Sequence, residues 1–465
     1  MAEPLDRARI TELLTRERER FDRTHATSRE LHEQAHRSLL NGVPMTWMAK
    51  WPGGHPVYAT SAHGATITDV DGNAYIDFAL GDTGAMAGHS PRAMVDAATK
   101  QLRDDGGATI MLPTVDAAAV GDELAHRFGL PLWSFSLSAT DANRWALRLT
   151  RAITGRRYVA VFSHSYHGTV DESFVTTDEH GNARTRRGNV GPAVDPTTTT
   201  RVCEFNDLDA LERILADGQV AALLMEPAMT NIGIVLPEPG YLEAVRELCT
   251  RTGTLLINDE THTLSAGPGG CTAAWGLTPD LVTIGKSIAG GVPIGAYGIS
   301  ADVARRIEEL READLVDVGG VGGTLAGNPL SVAAARATLE HVLTDDAFAQ
   351  MIALCDRFTA EIDGVIAKHG LPWCIVQLGA RAELMFTAEK PRTGNVAALA
   401  HDDDVEELLH LYLLNRGVII TPFHNMSLMS PATTADDVAV HVRAFAELAV
   451  ELSGAASPNA SAISS

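Results

Sequence analysis

At 465 residues the chain is long enough for two or three domains and a sizeable core, which excludes a small scaffold held by disulfides or metal. Its 59 Asp+Glu outnumber 37 Lys+Arg for a net charge of −22, and the densest basic cluster is only Arg184-Thr185-Arg186-Arg187, so neither nucleic acid nor a membrane surface is an expected partner. Met1 to Arg7 mixes charges where a signal peptide needs an apolar stretch, and no uncharged apolar run reaches the roughly 18 residues of a membrane span, so the expected location is cytoplasmic.

Residues 5 to 40 are rich in Arg, Glu and His, with Ile10, Leu13, Leu14 and Phe21 at helical spacing, which predicts a polar-faced helix or two forming an appendage outside the core. The stretches His63–Val70 and Ala74–Phe78, joined by Asp71-Gly72-Asn73, read as a β-hairpin. From about residue 90 to 300, helical patterns alternate with the apolar runs Tyr158–Phe162, Ala221–Met225, Thr254–Ile257 and Leu281–Ile284. Short continuous apolar runs between helices are the pattern of strands buried on both faces, so the fold class is α/β around a mostly parallel sheet. Thr177 to Thr200 breaks the rhythm and reads as a functional or interfacial loop. A long helix is expected over Ser331 to about Leu343, then mixed strand and helix to Leu452, and a disordered tail. The five cysteines are scattered with no Cys-x-x-Cys pair, as expected of reduced, packed thiols.

The strand Leu281–Ile284 ends on Gly285-Lys286. Ligands of open α/β sheets bind at the carboxyl ends of the strands, so this lysine points to a crevice, where a half-buried amine can attack a carbonyl. The preceding strand ends on Asp259-Glu260. A lysine for a Schiff base and a carboxylate that keeps a pyridine nitrogen protonated are the pair that pyridoxal phosphate (PLP) requires. Ser138-Ala139-Thr140-Asp141 opens a helix with Ala142, Ala146, Leu149 and Ile153 on one face, and a helix N-terminus offers N–H groups to a phosphate. A competing metal site could be drawn from His164, His167, Asp259, Glu260 and His262, but His164-x-x-His167 lacks the i, i+4 spacing of a helical zinc pair, and no metal is expected.

Met225–Gly233, Pro239-Gly240-Tyr241-Leu242, Leu256–Glu260, Ile284-Gly285-Lys286 and Gly323–Pro329 together resemble the class III aminotransferases, and within them the glutamate-1-semialdehyde aminomutases, from about Asp69 to Asp437. The resemblance implies a fold type I PLP-dependent transferase, with a large domain around a mostly parallel central sheet and a smaller α/β C-terminal domain, acting as a homodimer with shared active sites. It divides the chain into an N-terminal arm and small-domain segment (1–75), a large cofactor domain (76–335), a small domain (336–455) and a tail (456–465). It makes Lys286 the Schiff-base lysine, Asp259 the partner of the ring nitrogen, Tyr166 the stacking aromatic and Thr261 the residue on the opposite ring face. Asn231 falls near the phenolic oxygen and Glu226 matches an acid that orients the site. Ser138, Ala139 and Thr140 fall at the phosphate, with Thr324 reaching it from the neighbouring subunit.

Several residues depart from the family pattern. Ala139 replaces a glycine and must adopt a negative φ or accept strain. Thr46 stands where the aminomutase has its carboxylate-binding arginine, which argues against glutamate-1-semialdehyde as substrate. Asp82 stands near an aromatic position of the family's substrate pocket, and Asn425 falls close to a gating glutamate. The expected reaction is ping-pong transamination between an amine or amino-acid donor and a keto-acid acceptor, with an aminomutase or racemase as the alternative. Trp47, Met48, Met86, Phe423 and Met426 could line a pocket for a bulky amine. Arg381 is the candidate for the acceptor carboxylate, in competition with a salt bridge to Glu383.

Overall fold

The computed structural model describes residues 5–310, 323–422 and 424–453. Seven strands form one sheet in the spatial order Leu132–Ser136, Gly295–Ile299, Leu281–Ile284, Leu255–Asp259, Val220–Met225, Tyr158–Phe162, Thr200–Cys203. All are parallel except Gly295–Ile299, which runs antiparallel to both neighbours. The four apolar runs of the sequence are the centre of this sheet. Their alternate residues serve different layers: Val159, Val161, Leu224 and Ile257 pack with Ala146 of helix Ala139–Thr154, while Phe162, Leu223 and Met225 pack with Leu211 and Val245 of helices Leu208–Leu215 and Tyr241–Thr252. With both faces covered, a continuous apolar run replaces the alternation of a half-exposed strand.

The N-terminal segment is not an appendage. Helices Arg7–Thr24 and Ala26–Ala35 form as expected, but Ile10, Leu13 and Leu14 join the largest core together with Leu408 and Tyr412 of helix Asp403–Leu414. Its polar positions are also engaged: Arg18 pairs with Glu407 at 2.6 Å, and buried Glu17 meets Arg416 at 3.2 Å. The hairpin around Asp71-Gly72-Asn73 joins Thr66–Asp69 to Ala74–Asp77, with Asp69 Oδ1 accepting the N–H groups of Asp71 and Asn73 at 2.9 and 2.7 Å. Its outer strand pairs in parallel with Val418–Ile419, so the two ends of the chain share one four-stranded sheet.

Helix Pro329–His341 starts ahead of its expected position because Asn328 caps it, accepting from Ser331 N at 2.9 Å, and Pro329 takes the first helical position, where no N–H is needed. Within 177–200, Ala183–Thr185 pairs with Val175–Thr177 in a two-stranded ribbon. All five cysteines are buried and unpaired. No helix among the described residues is long and apolar enough to cross a membrane. The tail at 456–465 and Phe423 lie outside the described residues.

Candidate active site

The sheet register sets Asp259 directly beside Thr283, so the carboxyl ends of two adjacent strands deliver Asp259 and, three residues past Thr283, Lys286 to one place. Between them lies a cavity of about 380 Å³, lined by Ser138, Ala139, Thr140, Tyr166, Thr261, Asp259 and Lys286, with Trp47, Asp82 and His262 also in its wall.

Asp259 is a buried anion. Its Oδ2 accepts from His167 Nδ1 at 3.0 Å and Asn143 Nδ2 at 2.8 Å, and Oδ1 accepts from Thr261 N at 3.1 Å. Burial alone would raise this carboxyl, but the charge and hydrogen bond of His167, with the donors of Thr261 and Asn143, hold it below the usual carboxylate range. Asn143 is itself fixed, since its Oδ1 accepts from Thr283 Oγ1 at 2.6 Å. At the other end of the cavity Ser138 caps helix Ala139–Thr154, taking Asp141 N at 3.2 Å. The Ala139 and Thr140 N–H groups ahead of it have no intrahelical acceptor. Ala139 is helical with negative φ, which resolves the question raised by the missing glycine. Thr140 Oγ1 accepts from Thr169 N at 3.1 Å. Gly168 lies so close that a Cβ there would stand 2.0 Å from Thr140 Oγ1, and its φ of +75° also favours glycine.

Lys286 has an unusual setting. Its own φ is +52°, and its Nζ meets Asp82 Oδ2 at 2.7 Å and His262 Nε2 at 2.8 Å. Asp82 belongs to a turn in which Leu80, Gly81, Asp82 and Thr83 all have positive φ. Each non-glycine residue there costs about 1–2 kcal/mol, a strain that proteins concentrate at functional sites. His262 Nδ1 lies 2.9 Å from Thr83 Oγ1 and 3.0 Å from Arg381 Nη1. Burial and the Lys286 charge keep this imidazole well below its ordinary pKa, so it is neutral at pH 7. Burial would raise Asp82, yet the adjacent Lys286 reverses this and holds the carboxyl well below its usual range.

The remaining sequence-derived residues fall at several distances from this centre. Glu226 is buried behind it, hydrogen-bonded by Thr230 Oγ1, with its carboxyl raised by burial. Asn231 donates to the His164 carbonyl at 3.2 Å and lines a neighbouring cavity of about 290 Å³ with Glu383 and His424. Arg381 is fully buried and outside the lining of the main cavity. It donates to the Thr230 carbonyl at 3.0 Å and meets Glu383 at 3.4 Å, the salt bridge that the sequence offered as its competing role. Thr46 and Thr324 are exposed. Met86 and Met426 belong to the core and Met48 is exposed, so among the described residues the apolar wall expected here reduces to Trp47. The histidines of the competing metal reading part company: His164 bonds Asn395, His167 bonds Asp259 and His262 faces Lys286.

Sequence reasoning missed three partners: Asn143, His167 as the holder of Asp259, and His262 as the neighbour of Lys286. Asn143 left a trace as a polar residue beside Ala142 and Ala146 on the apolar face of its helix. His262 left none, because only the tertiary fold brings it against Lys286.

A parallel sheet that places a lysine and a hydrogen-bonded aspartate opposite a capped helix N-terminus defines a fold type I PLP-dependent transferase. The Aminotransferase class-III family matches residues 48–446, and the chain belongs to that family. It is 32% identical over 410 residues to the glutamate-1-semialdehyde 2,1-aminomutase of Gemmatimonas aurantiaca, covering 86% of this chain and 90% of the relative. Among solved structures, a glutamate-1-semialdehyde-aminomutase from Pseudomonas aeruginosa PAO1 superposes with a TM-score of 0.93 at 48% identity, over 96% of this chain and 99% of that one; its K286A form was solved in complex with PMP. An omega-transaminase from Sphaerobacter thermophilus superposes with a TM-score of 0.82 at 28% identity, over 91% and 97% of the two chains.

The cofactor is pyridoxal phosphate, and the residues present fit it. The anionic Asp259 suits a ring N–H, the free N–H groups at Ala139 and Thr140 suit a phosphate, and the buried Thr261 Oγ1, which has no protein partner, stands in the cavity wall.

Proposed function

We propose that the chain catalyses amino-group transfer of the aminomutase type, in which an amino group leaves one carbon of a substrate and returns to a neighbouring carbonyl carbon of the same molecule. The observation that carries it is the facing pair Lys286 and Asp259 across a cavity whose other end is a helix N-terminus, in a chain whose relatives are named glutamate-1-semialdehyde aminomutases. Bound PLP supplies a carbonyl to take up the amino group and an electron-poor ring to stabilise negative charge on the adjacent carbon. Asp259 holds a proton on the ring nitrogen, and His167 and Asn143 keep its carboxylate aimed. Ser138, Ala139 and Thr140 would hold the phosphate, Tyr166 and Thr261 would contact the ring, Asn231 would serve its phenolic oxygen, and Glu226 would orient the site. Lys286 anchors the cofactor and, once released, moves a proton as general acid and base. The unit is a homodimer in which Thr324, exposed and outside its own chain's cavity lining, serves the partner's phosphate.

A second reading, ping-pong transamination with a separate keto acid, is favoured by one observation: Thr46 stands where the resemblance places the aminomutase's carboxylate-binding arginine, which argues against glutamate-1-semialdehyde as the substrate. Trp47 and Asp82, both in the cavity wall, then shape the donor pocket. A panel of amino compounds with the holoenzyme separates the readings. Isomerisation of a substrate without added keto acid supports the aminomutase. Accumulation of the pyridoxamine form, with turnover only when a keto acid is supplied, replaces it with the transaminase.

A further inference from the structure

The Lys286 nitrogen has two partners of opposite tendency. Asp82 can only accept, so it favours a proton on Nζ. His262 acts in the other direction. The guanidinium of Arg381 can only donate, so Nδ1 of His262 must accept, which puts the single proton of the neutral imidazole on Nε2, directed at Nζ from 2.8 Å. That hydrogen bond needs a lone pair on Nζ and favours the unprotonated nitrogen. The strained turn at residues 80–83 supplies both Asp82 and the hydroxyl of Thr83 to this cluster, so the arrangement is held against a conformational cost.

We propose that Asp82 and His262 form an opposed pair that sets the proton affinity of the Lys286 nitrogen, Asp82 raising it and the Arg381-braced His262 lowering it. The inference deepens the amino-transfer reading by naming what poises the lysine as a base, and it stands on residues that sequence reasoning left as a pocket departure and a rejected metal ligand. The other groups acting on the pair are few. His424 and Tyr166 bear on Asp82, while Asp259 and Arg381 bear on His262.

The test is the pH midpoint of the visible absorbance of the holoenzyme, which needs bound cofactor and no substrate, so its outcome is independent of which amino-transfer reaction is correct. Asp82→Asn is the principal variant because asparagine tolerates a φ of +52°. It removes an opposite charge at hydrogen-bond distance, and the midpoint is expected to fall by about 1–3 pH units. His262→Leu removes the donor to the lone pair, and the midpoint is expected to rise. Opposite movements support the proposal. An unmoved midpoint in the Asp82→Asn holoenzyme, or movement of both variants in one direction, overturns it, because general disturbance of the cavity would not give the two opposite signs. If one variant does not load cofactor, the sign of the other's shift decides.

Discussion

Replacing Asp259 by Asn keeps the size of the side chain and removes its charge. The native carboxylate, 3% exposed, satisfies three donors: His167 and Asn143 at one oxygen and the Thr261 N–H at the other. An amide has one acceptor oxygen. Turned toward His167 and Asn143, it aims its NH2 at Thr261 N, so one hydrogen bond becomes a donor–donor contact, costing about 1–3 kcal/mol. His167 also loses the anion beside it. The unsatisfied contact sets the expected loss of apoenzyme stability at pH 7 at about 1–3 kcal/mol. The pH dependence carries a sign. The folded carboxyl is held below its unfolded value, so the Asp259 contribution is complete above the unfolded value of about 3.9 and is lost as pH falls through the folded one. In urea unfolding the gap between parent and variant should therefore narrow on acidification, and turnover should be lost because no anion holds the proton on the ring nitrogen. A gap below about 1 kcal/mol at pH 7, or one that widens in acid, would refute the reasoning.

Lys286→Ala is expected to abolish turnover while the variant still binds cofactor without covalent attachment; retained turnover, measured with the best substrate of the panel, sinks the mechanism. In Gly168→Ala the new Cβ must displace Thr140 from 2.0 Å at an unfavourable φ, and the affinity for cofactor should fall about 10- to 100-fold in a titration monitored by absorbance, corresponding to roughly 1.4–2.8 kcal/mol. Arg381→Ala removes a buried guanidinium from Glu383 and His262, so it should lower thermal stability and leave the apparent affinity for keto acids unchanged. A tenfold rise in KM for the acceptor alone would return Arg381 to the role of carboxylate binder.

What was legible in the sequence follows from where each signal is stored. A strand buried on both faces is a short, mostly apolar run, so Tyr158–Phe162, Ala221–Met225, Thr254–Ile257 and Leu281–Ile284 announce a covered parallel sheet, and the residues just past two of them include Asp259 and Lys286. The cap at Ser138 is equally local, because a cap and the helix it opens are neighbours in the chain. Gly295–Ile299 has no comparable mark. It contains two glycines in five residues, one of them where a Cβ would strike the Trp133 ring at 2.6 Å, so its small residues reflect a close neighbour rather than a strand preference.

The N-terminal helix was misjudged for a related reason. Its polar face reads as solvated until Arg16, Arg18 and Glu17 find partners 389 to 435 residues away, and no local pattern encodes that pairing. By itself, then, the sequence determined the fold class through periodicity and the cofactor through its resemblance to the class III aminotransferases, and it put Asp259 and Lys286 at the ends of neighbouring strands. Only the tertiary structure decided what surrounds the reactive nitrogen. Asp82, His262 and Arg381 come from three separate segments; sheet register and a strained turn bring Asp82 and His262 to Lys286, and Arg381 backs His262.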